Sequence, residues 1–145
     1  MRIFLNPGHD RSCDPGACGY GLEEAEVAYK IGKYLAELLE DESFIISGFM
    51  QDDSLGDVCR FANNCSADIF VSIHCNAFNG NAKGTETLMY QFGGEAEMLA
   101  NCIQEEIVDS LGTIDRGVKA RPDLYVLRCT KMPAVLVECA FIDEV

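Results

Sequence analysis

The chain contains only two histidines, His9 and His74, and each follows a short apolar run. Residues 3–5 lead to His9 and residues 69–73 lead to His74, so we expect each imidazole where a strand ends. In an open α/β sheet, ligands bind beyond the carboxyl ends of the strands, and neutral imidazole is a favoured zinc ligand. The two histidines are therefore candidates for one metal site. The alternative is that each is a hydrogen-bonded loop residue.

Two glutamates are the candidate carboxylates of the same site. Glu24 lies in the first turn of a predicted helix, on its apolar face, where an unpaired charge is costly and a metal would be a suitable partner. The alternative is that Glu24 complements the positive end of the helix dipole. Glu138 interrupts an apolar strand, so it is expected to be functional or paired. Its alternative role is an ion pair with Arg116 or Arg128.

Eight cysteines raise the alternatives of disulfides, cysteine catalysis and a structural zinc site. Most of them lie in apolar segments, where a free cysteine behaves as a small hydrophobic residue, so we expect no disulfide framework. Cys75 and Cys139 each directly follow a candidate site residue. Because neighbouring strand residues point to opposite faces, both thiols are expected to face away from the site. Cys13 and Cys18 remain alternative zinc ligands, together with His9.

These residues need a scaffold that brings strand ends together, and the hydrophobic pattern predicts one. Strands are expected at residues 2–6, 44–50, 69–74, 84–90, 124–128 and 134–142. Helices are expected at residues 23–39, 54–65 and 95–111, with Ser54 as the N-cap of the second and Gly112 ending the third. Strands that alternate with helices indicate a three-layer α/β/α fold with a mainly parallel, twisted sheet.

Length and composition describe one folded domain. The 145 residues suit a single domain spanning 1–145, which we expect to be a monomer. The net charge of −13 argues against a nucleic-acid partner, because phosphate binding needs clustered basic residues. No apolar run reaches the roughly 18 residues of a membrane span. The N-terminus also lacks the basic region and the cleavage site of a signal peptide.

Several motifs follow one another in order along nearly the whole chain: Asn6-Pro-Gly-His9, Asp14-Pro-Gly-Ala17, Gly21-Leu-Glu-Glu24, Ser54-Leu55, Arg60-Phe-Ala-Asn63, Ser72-Ile-His-Cys-Asn-Ala77, Gly84-Thr-Glu-Thr87, Arg116-Gly-Val-Lys119, Leu124-Tyr-Val-Leu-Arg128 and Pro133-Ala-Val-Leu-Val-Glu138. Together these motifs resemble those of the zinc-dependent N-acetylmuramoyl-L-alanine amidases. This family provides the catalytic domains of bacterial cell-separation and spore-wall lytic enzymes and of many phage endolysins. The resemblance implies that His9, Glu24 and His74 bind one zinc ion and that Glu138 is the catalytic carboxylate.

The activity that the resemblance implies is hydrolysis of the amide bond between N-acetylmuramic acid and L-alanine in peptidoglycan, by a zinc-activated water. Asn76 and Arg116 are secondary candidates for shaping the site or holding the peptide stem. Alternatively, Asn76 caps the strand end and Arg116 pairs with Glu138. Two rival functions are a zinc peptidase or deacetylase with similar ligands, and a non-catalytic wall-binding module. The second rival would have no need of a buried Glu138.

The resemblance also implies where the domain works. Peptidoglycan is the expected partner, and the bacterial cell wall is the expected place of action. Without a signal peptide, the chain is expected to be either a phage-type endolysin made in the cytoplasm or a domain of a longer exported protein with a wall-binding domain. Such domains usually continue after the last strand, so we expect that a C-terminal helix is lacking here. One face of the strand at 134–142 would then need another cover.

Overall fold

The computed structural model describes residues 1–143, and its strands and helices alternate along most of the chain. In chain order the elements are β1 (Arg2–Pro7), β2 (Cys18–Gly19), β3 (Leu22–Glu23), α1 (Glu24–Asp41), β4 (Ile45–Phe49), α2 (Leu55–Asn64), β5 (Ile69–Asn76), β6 (Thr85–Met89), α3 (Glu95–Leu111), β7 (Asp115–Ala120), α4 (Tyr125–Cys129) and β8 (Ala134–Phe141).

A six-stranded sheet forms the centre of the domain, in the order β4-β1-β5-β8-β6-β7. The strands β4, β1, β5 and β8 are mutually parallel. The strand β6 runs antiparallel to β8, and β7 runs parallel to β6. The short strands β2 and β3 pair separately. The predicted α/β class with a mainly parallel sheet is confirmed.

Helices cover both faces of this sheet, and the alternation of side chains along each strand decides which helices they meet. Phe4 and Phe70 point to the face covered by α2 and α4, where their rings stack with centroids 5.6 Å apart. Leu5 and Val71, their neighbours in sequence, point to the face covered by α1 and α3. Continuous apolar strands are therefore needed here, because each strand is buried on both sides.

The structure corrects the predicted elements in the last quarter of the chain. Residues 124–128 were expected to form a strand, but Tyr125–Cys129 is a short helix that buries Val126 and Leu127. The strand Asp115–Ala120 was not expected from the sequence. Gly112 ends α3 in the left-handed conformation, as predicted. Ser54 lies at the N-cap position of α2, but its side chain makes no capping hydrogen bond.

An apolar groove lies between α1 and α3 on one face of the sheet, with a volume of about 520 Å³. Its walls include Ile31 and Leu35 of α1, Leu99 and Ile103 of α3, and Val137 at its floor. The expectation that one face of the strand at 134–142 needs a cover other than a C-terminal helix stays a prediction. Among residues 1–143, no helix has the length and apolar character needed to cross a membrane.

Candidate metal centre and its surroundings

The candidate site lies at the carboxyl ends of the parallel strands. His9 follows β1, His74 lies near the end of β5, and Glu138 lies in β8 directly opposite His74 in the strand register. The rings of His9 and His74 meet edge to face, with centroids 5.1 Å apart. The extra residue that β8 accommodates just beyond this point is typical of a strand that re-aims side chains near a site.

Glu24 joins the two histidines into one cluster. Its Oε2 lies 3.0 Å from Nε2 of His9, and its Oε1 lies 2.9 Å from Nδ1 of His74. One potential ligand atom from each of the three residues lies within 4.8 Å of the others. Two imidazoles and one carboxylate are a donor set that zinc favours, so the residues fit a metal ion.

The start of α1 places Glu24 deep in the fold, where it is 4% exposed. The backbone N–H groups of Ala17 and Cys75 donate to its two oxygens, at 2.8 and 3.1 Å. Burial favours the neutral carboxyl, but hydrogen bonds from His74 and His9 outweigh burial and lower the pKa of Glu24 well below its usual range. Glu24 is therefore held as a carboxylate, the form in which it binds a metal.

His9 is oriented by a second carboxylate, that of Asp14, whose Oδ2 lies 2.7 Å from Nδ1. A proton on Nδ1 would leave the Nε2 lone pair for a metal, as in many metal-bound histidines. The hydrogen bond to Glu24 is the main cause that raises the pKa of His9 to about 9, against burial and with the help of Asp14. The backbone of His9 has a φ of 62°, an uncommon conformation that stores strain at the site.

Two glycines make room for this cluster, and they explain the glycine in each of the first two motifs. A Cβ at Gly8 would lie only 2.2 Å from a ring atom of His74. A Cβ at Gly16 would lie 2.6 Å from the ring of His9 and 2.7 Å from Oε2 of Glu24. Gly16 also has a φ of +67°, which side chains rarely adopt. A larger residue at either position would displace a potential ligand.

Glu138 lacks the ion pair that was its alternative explanation. Within residues 1–143, its buried Oε2 has no hydrogen-bond partner. Burial is the main cause that raises the pKa of Glu138 to about 7, opposed by the attraction of His74. Arg128 instead lies over the ring of Tyr125. A buried carboxyl that titrates near neutral pH beside a metal cluster has the properties of a general acid–base group.

Arg116 and Asn76 contact Glu86 rather than Glu138. The Nε of Arg116 lies 3.5 Å from Oε2 of Glu86, and Nδ2 of Asn76 donates to Oε1 at 3.0 Å. Asn76 also accepts from the N–H of Ala77, so the expected local capping contact is present as well. Glu86 lies opposite Glu138 in the register of β6 and β8.

Sequence reasoning did not select two residues that the structure places at the site, Asp14 and Glu86. Glu86 carried only a weak form of the signal that identified Glu138, since it is a lone carboxylate within a predicted strand but has threonines on both sides. Asp14 carried no such signal, because an aspartate before a Pro-Gly pair is ordinary turn chemistry. Its contact with His9 exists only because the loop folds back onto the end of β1.

The cysteines lie outside the metal cluster. All eight are free thiols. Cys139 packs among the apolar residues beneath α1 and α3, on the face opposite Glu138, and Cys75 is 6% exposed. The thiols of Cys13 and Cys18 contact Asp53 and the carbonyl of Gly16. The cluster of potential ligands contains neither of them.

An α/β domain with two histidines, a buried carboxylate and a second carboxyl at one sheet edge has the groups that a metal-dependent hydrolase requires. Comparison with known proteins identifies the family more closely. Residues 3–145 match the family described as N-acetylmuramoyl-L-alanine amidase. The chain belongs to that family.

Individual relatives agree with this assignment. The sporulation-specific N-acetylmuramoyl-L-alanine amidase of Bacillus subtilis is 38% identical, over 100% of this chain and 58% of that protein. The endolysin of Bacillus phage SPP1 is also 38% identical, over 98% of this chain and 55% of that protein. The chain thus spans little more than half the length of these two relatives. A solved N-acetylmuramoyl-L-alanine amidase from Clostridium difficile 630 matches with a TM-score of 0.88 and 35% identity, over 99% of this chain and 81% of that chain.

Proposed function

We propose that this domain hydrolyses the amide bond between N-acetylmuramic acid and L-alanine in bacterial peptidoglycan, with the help of one zinc ion. The observation that carries the proposal is the cluster of His9, Glu24 and His74 beside Glu138, whose buried Oε2 has no hydrogen-bond partner among the described residues 1–143. Family membership selects the amide bond, since the matching family and the relatives named above include N-acetylmuramoyl-L-alanine amidases.

The zinc ion would be held by His9, Glu24 and His74, with Asp14 orienting His9 from outside the ligand set. Three protein ligands leave a further position open, which is the pattern of catalytic rather than structural zinc sites. When bound, zinc supplies a Lewis acid that polarises the amide carbonyl and makes a water molecule more acidic.

Glu138 would move the protons of the reaction. With a pKa of about 7, a substantial fraction of Glu138 is ionised at neutral pH and can accept a proton from the attacking water. The oxygen of that water bonds to the amide carbon, and the carbon–nitrogen bond then breaks. Glu138 returns its proton to the departing nitrogen of L-alanine, so the carboxyl ends the cycle in the form in which it began.

The substrate would approach over the carboxyl ends of the parallel strands, where polar side chains lie next to Glu138. We propose that Asn76 and Arg116 contribute to its shape, because both are held by Glu86 next to Glu138. Peptidoglycan is the corresponding partner, so the proposed place of action is the bacterial cell wall. The protein would reach the wall either as a phage-type endolysin or as a domain of an exported protein.

Digestion of purified peptidoglycan tests this function against its rivals. Mass spectrometry of the products, with labelling of new amino termini, is expected to show free L-alanine amino groups and intact glycan strands. New amino termini elsewhere in the stem would identify a peptidase, and released acetate would identify a deacetylase. Binding to the wall without any product would identify a wall-binding module. Chelation followed by restoration of zinc provides the matched control for metal dependence.

A further inference from the structure

The strand β7 and the residue that follows it carry three basic residues near the candidate site of an otherwise acidic chain. The whole sequence has eleven basic and 24 acidic residues, yet Arg116, Lys119 and Arg121 lie within six consecutive positions. In an acidic protein such a concentration of charge is a local feature that can attract an anionic group. These basic residues lie at the edge of the sheet, two strands from Glu138.

A buried carboxylate, that of Glu86, holds two of these cations in place. Glu86 is 9% exposed, and its Oε2 is hydrogen-bonded to Nζ of Lys119 and lies 3.5 Å from Nε of Arg116. One carboxylate neutralises one of the two cations, so the pair keeps an excess positive charge. The third cation, Arg121, is instead bound by both oxygens of Asp123, at 2.9 and 2.7 Å.

Both cations are held in place and still reach solvent. The guanidinium of Arg116 lies over the ring of Phe141 at 5.0 Å, and its Nη1 donates to the carbonyl of Lys83 at 3.4 Å. The side chains of Arg116 and Lys119 are 35% and 44% exposed. Side chains that are oriented before binding lose less conformational entropy when a ligand arrives.

The strand register puts these groups on the same face as the catalytic candidate. Glu86 pairs with Glu138, and Lys119 pairs with Leu88, two residues further along β6 on that face. Two strand spacings separate β7 from β8, so the cations lie roughly 10 Å from Glu138 across the sheet. In an extended peptide stem, a functional group one or two residues beyond the scissile bond would lie at about this distance from Glu138.

We propose that Arg116 and Lys119 form a subsite for a free carboxylate of the peptide stem, on the alanine side of the scissile bond. Glu86 is the positioning residue of this subsite, because it fixes both cations without being exposed itself. The inference rests on the proposed amidase function and adds a direction to it. The peptide extends from Glu138 towards β7, and the sugar lies on the opposite side.

The other side of the site suits an uncharged group better than an acidic one. A cleft of about 220 Å³ opens beside His9 and His74, and its walls include Tyr125, Asp52 and Asp53. Two aspartates would repel a stem carboxylate, whereas a tyrosine ring and carboxylate oxygens can contact a sugar through its faces and hydroxyl groups. The charge difference between the two sides therefore favours the proposed direction.

The test compares two synthetic muropeptides that differ only at the carboxyl group of the second stem residue, which is free in one and amidated in the other. Each is cleaved by the zinc-loaded wild type and by the variants Lys119→Met, Arg116→Met and, as a distant control on α2, Arg60→Met. We expect either of the first two variants to lower kcat/KM about five- to tenfold on the free carboxylate. On the amidated substrate we expect the losses in these two variants to be smaller, so that the preference for the free carboxylate falls. In the control Arg60→Met we expect changes below about twofold on both substrates.

A binding measurement separates this subsite from the proposed reaction. Calorimetry with Glu138→Gln, alone and combined with Lys119→Met, reports affinity for both muropeptides without cleavage. If Glu138→Gln binds the free carboxylate more tightly and Lys119→Met removes that preference, the subsite is supported. If, in addition, the wild type cuts neither muropeptide, the amidase function is refuted while the subsite stands. Cleavage without any such preference, or equal losses on both substrates, overturns the subsite and leaves the amidase function standing.

Discussion

Replacing Glu138 by glutamine keeps the shape of the side chain but removes its ability to ionise. The expected loss of turnover is about 10²–10⁴-fold, the usual contribution of a general acid–base group. Glutamine cannot accept the proton of the attacking water at neutral pH. Zinc content is expected to stay at one ion per chain, because His9, Glu24 and His74 are unchanged. The change also has a thermodynamic signature that does not depend on any substrate.

The magnitude of that signature follows from the burial of Glu138. Its pKa is raised from 4.5 to about 7, and each pKa unit corresponds to about 1.4 kcal/mol. The folded protein therefore holds this proton more tightly than the unfolded chain does. The resulting stability is fully present below pH 4.5 and is lost as the pH rises through 7. At pH 8 the ionised group costs the wild type about 3 kcal/mol, and Glu138→Gln escapes that cost.

Thermal unfolding in a chelator, at pH 4.5 and at pH 8, measures the difference directly. For a domain of this size, about 3 kcal/mol corresponds to a change of about 6–12 °C in Tm. The Tm of Glu138→Gln minus the Tm of the wild type should therefore be about 6–12 °C larger at pH 8 than at pH 4.5. Any cost of burying the glutamine amide is the same at both pH values and cancels. The exposed substitution Glu37→Gln on α1 is the control and should show no such gain.

Two results would refute this reasoning. A Tm difference between Glu138→Gln and the wild type that is equal at pH 4.5 and pH 8 would mean that Glu138 is not held in a surrounding that disfavours its charge. Near-normal turnover by Glu138→Gln, with zinc bound, would mean that another group moves the protons and that Glu138 has a structural role.

Three further predictions concern the metal cluster and the thiols. Glu24→Ala should lose both zinc and activity, which elemental analysis after gel filtration checks; retention of zinc would remove Glu24 from the ligand set. Asp14→Asn should weaken zinc affinity about 10–100-fold while leaving the fold intact, as measured by competition with a chelator, since His9 loses its orienting carboxylate; unchanged affinity would contradict that role. Alkylation of accessible cysteines should leave most of the activity, because Cys75 is buried and Cys139 packs on the face opposite Glu138. Loss of activity with zinc still bound would favour a thiol mechanism.

The elements that sequence reasoning predicted best are those whose pattern has one physical explanation. The apolar, branched run of β5 and the run of β8 suit strands buried on both faces, and both formed as expected. The run Leu124–Leu127 was ambiguous, because four apolar residues also fit one helical turn. The polar strand β7 has no apolar signature, since it lies at the sheet edge and depends on pairing with β6.

The candidate site was predictable only as far as strand ends could be located. His9 and His74 were each expected to end a strand, and the parallel pairing of β1 with β5, which the sequence did not predict, brings them together. The reversed direction of β6 left no trace in the sequence, because alternation of side chains is the same in either direction. The contacts of Glu86 and Asp14 therefore depend on tertiary pairing and loop path, which a pattern of residue types does not contain.

The direction of β6 also determines which loop can vary in sequence and length without disturbing the sheet. Because β5 ends and β6 begins at the same edge, residues 77–84 cross the sheet at the mouth of the site. Hydrogen bonds from the N–H groups of Phe78 and Gly80 to Asp143 hold this connection. Exchanges or insertions there would alter what approaches Glu138 without changing the register of any strand. Divergence between amidases that share one chemistry but act on different walls is expected to concentrate in this stretch.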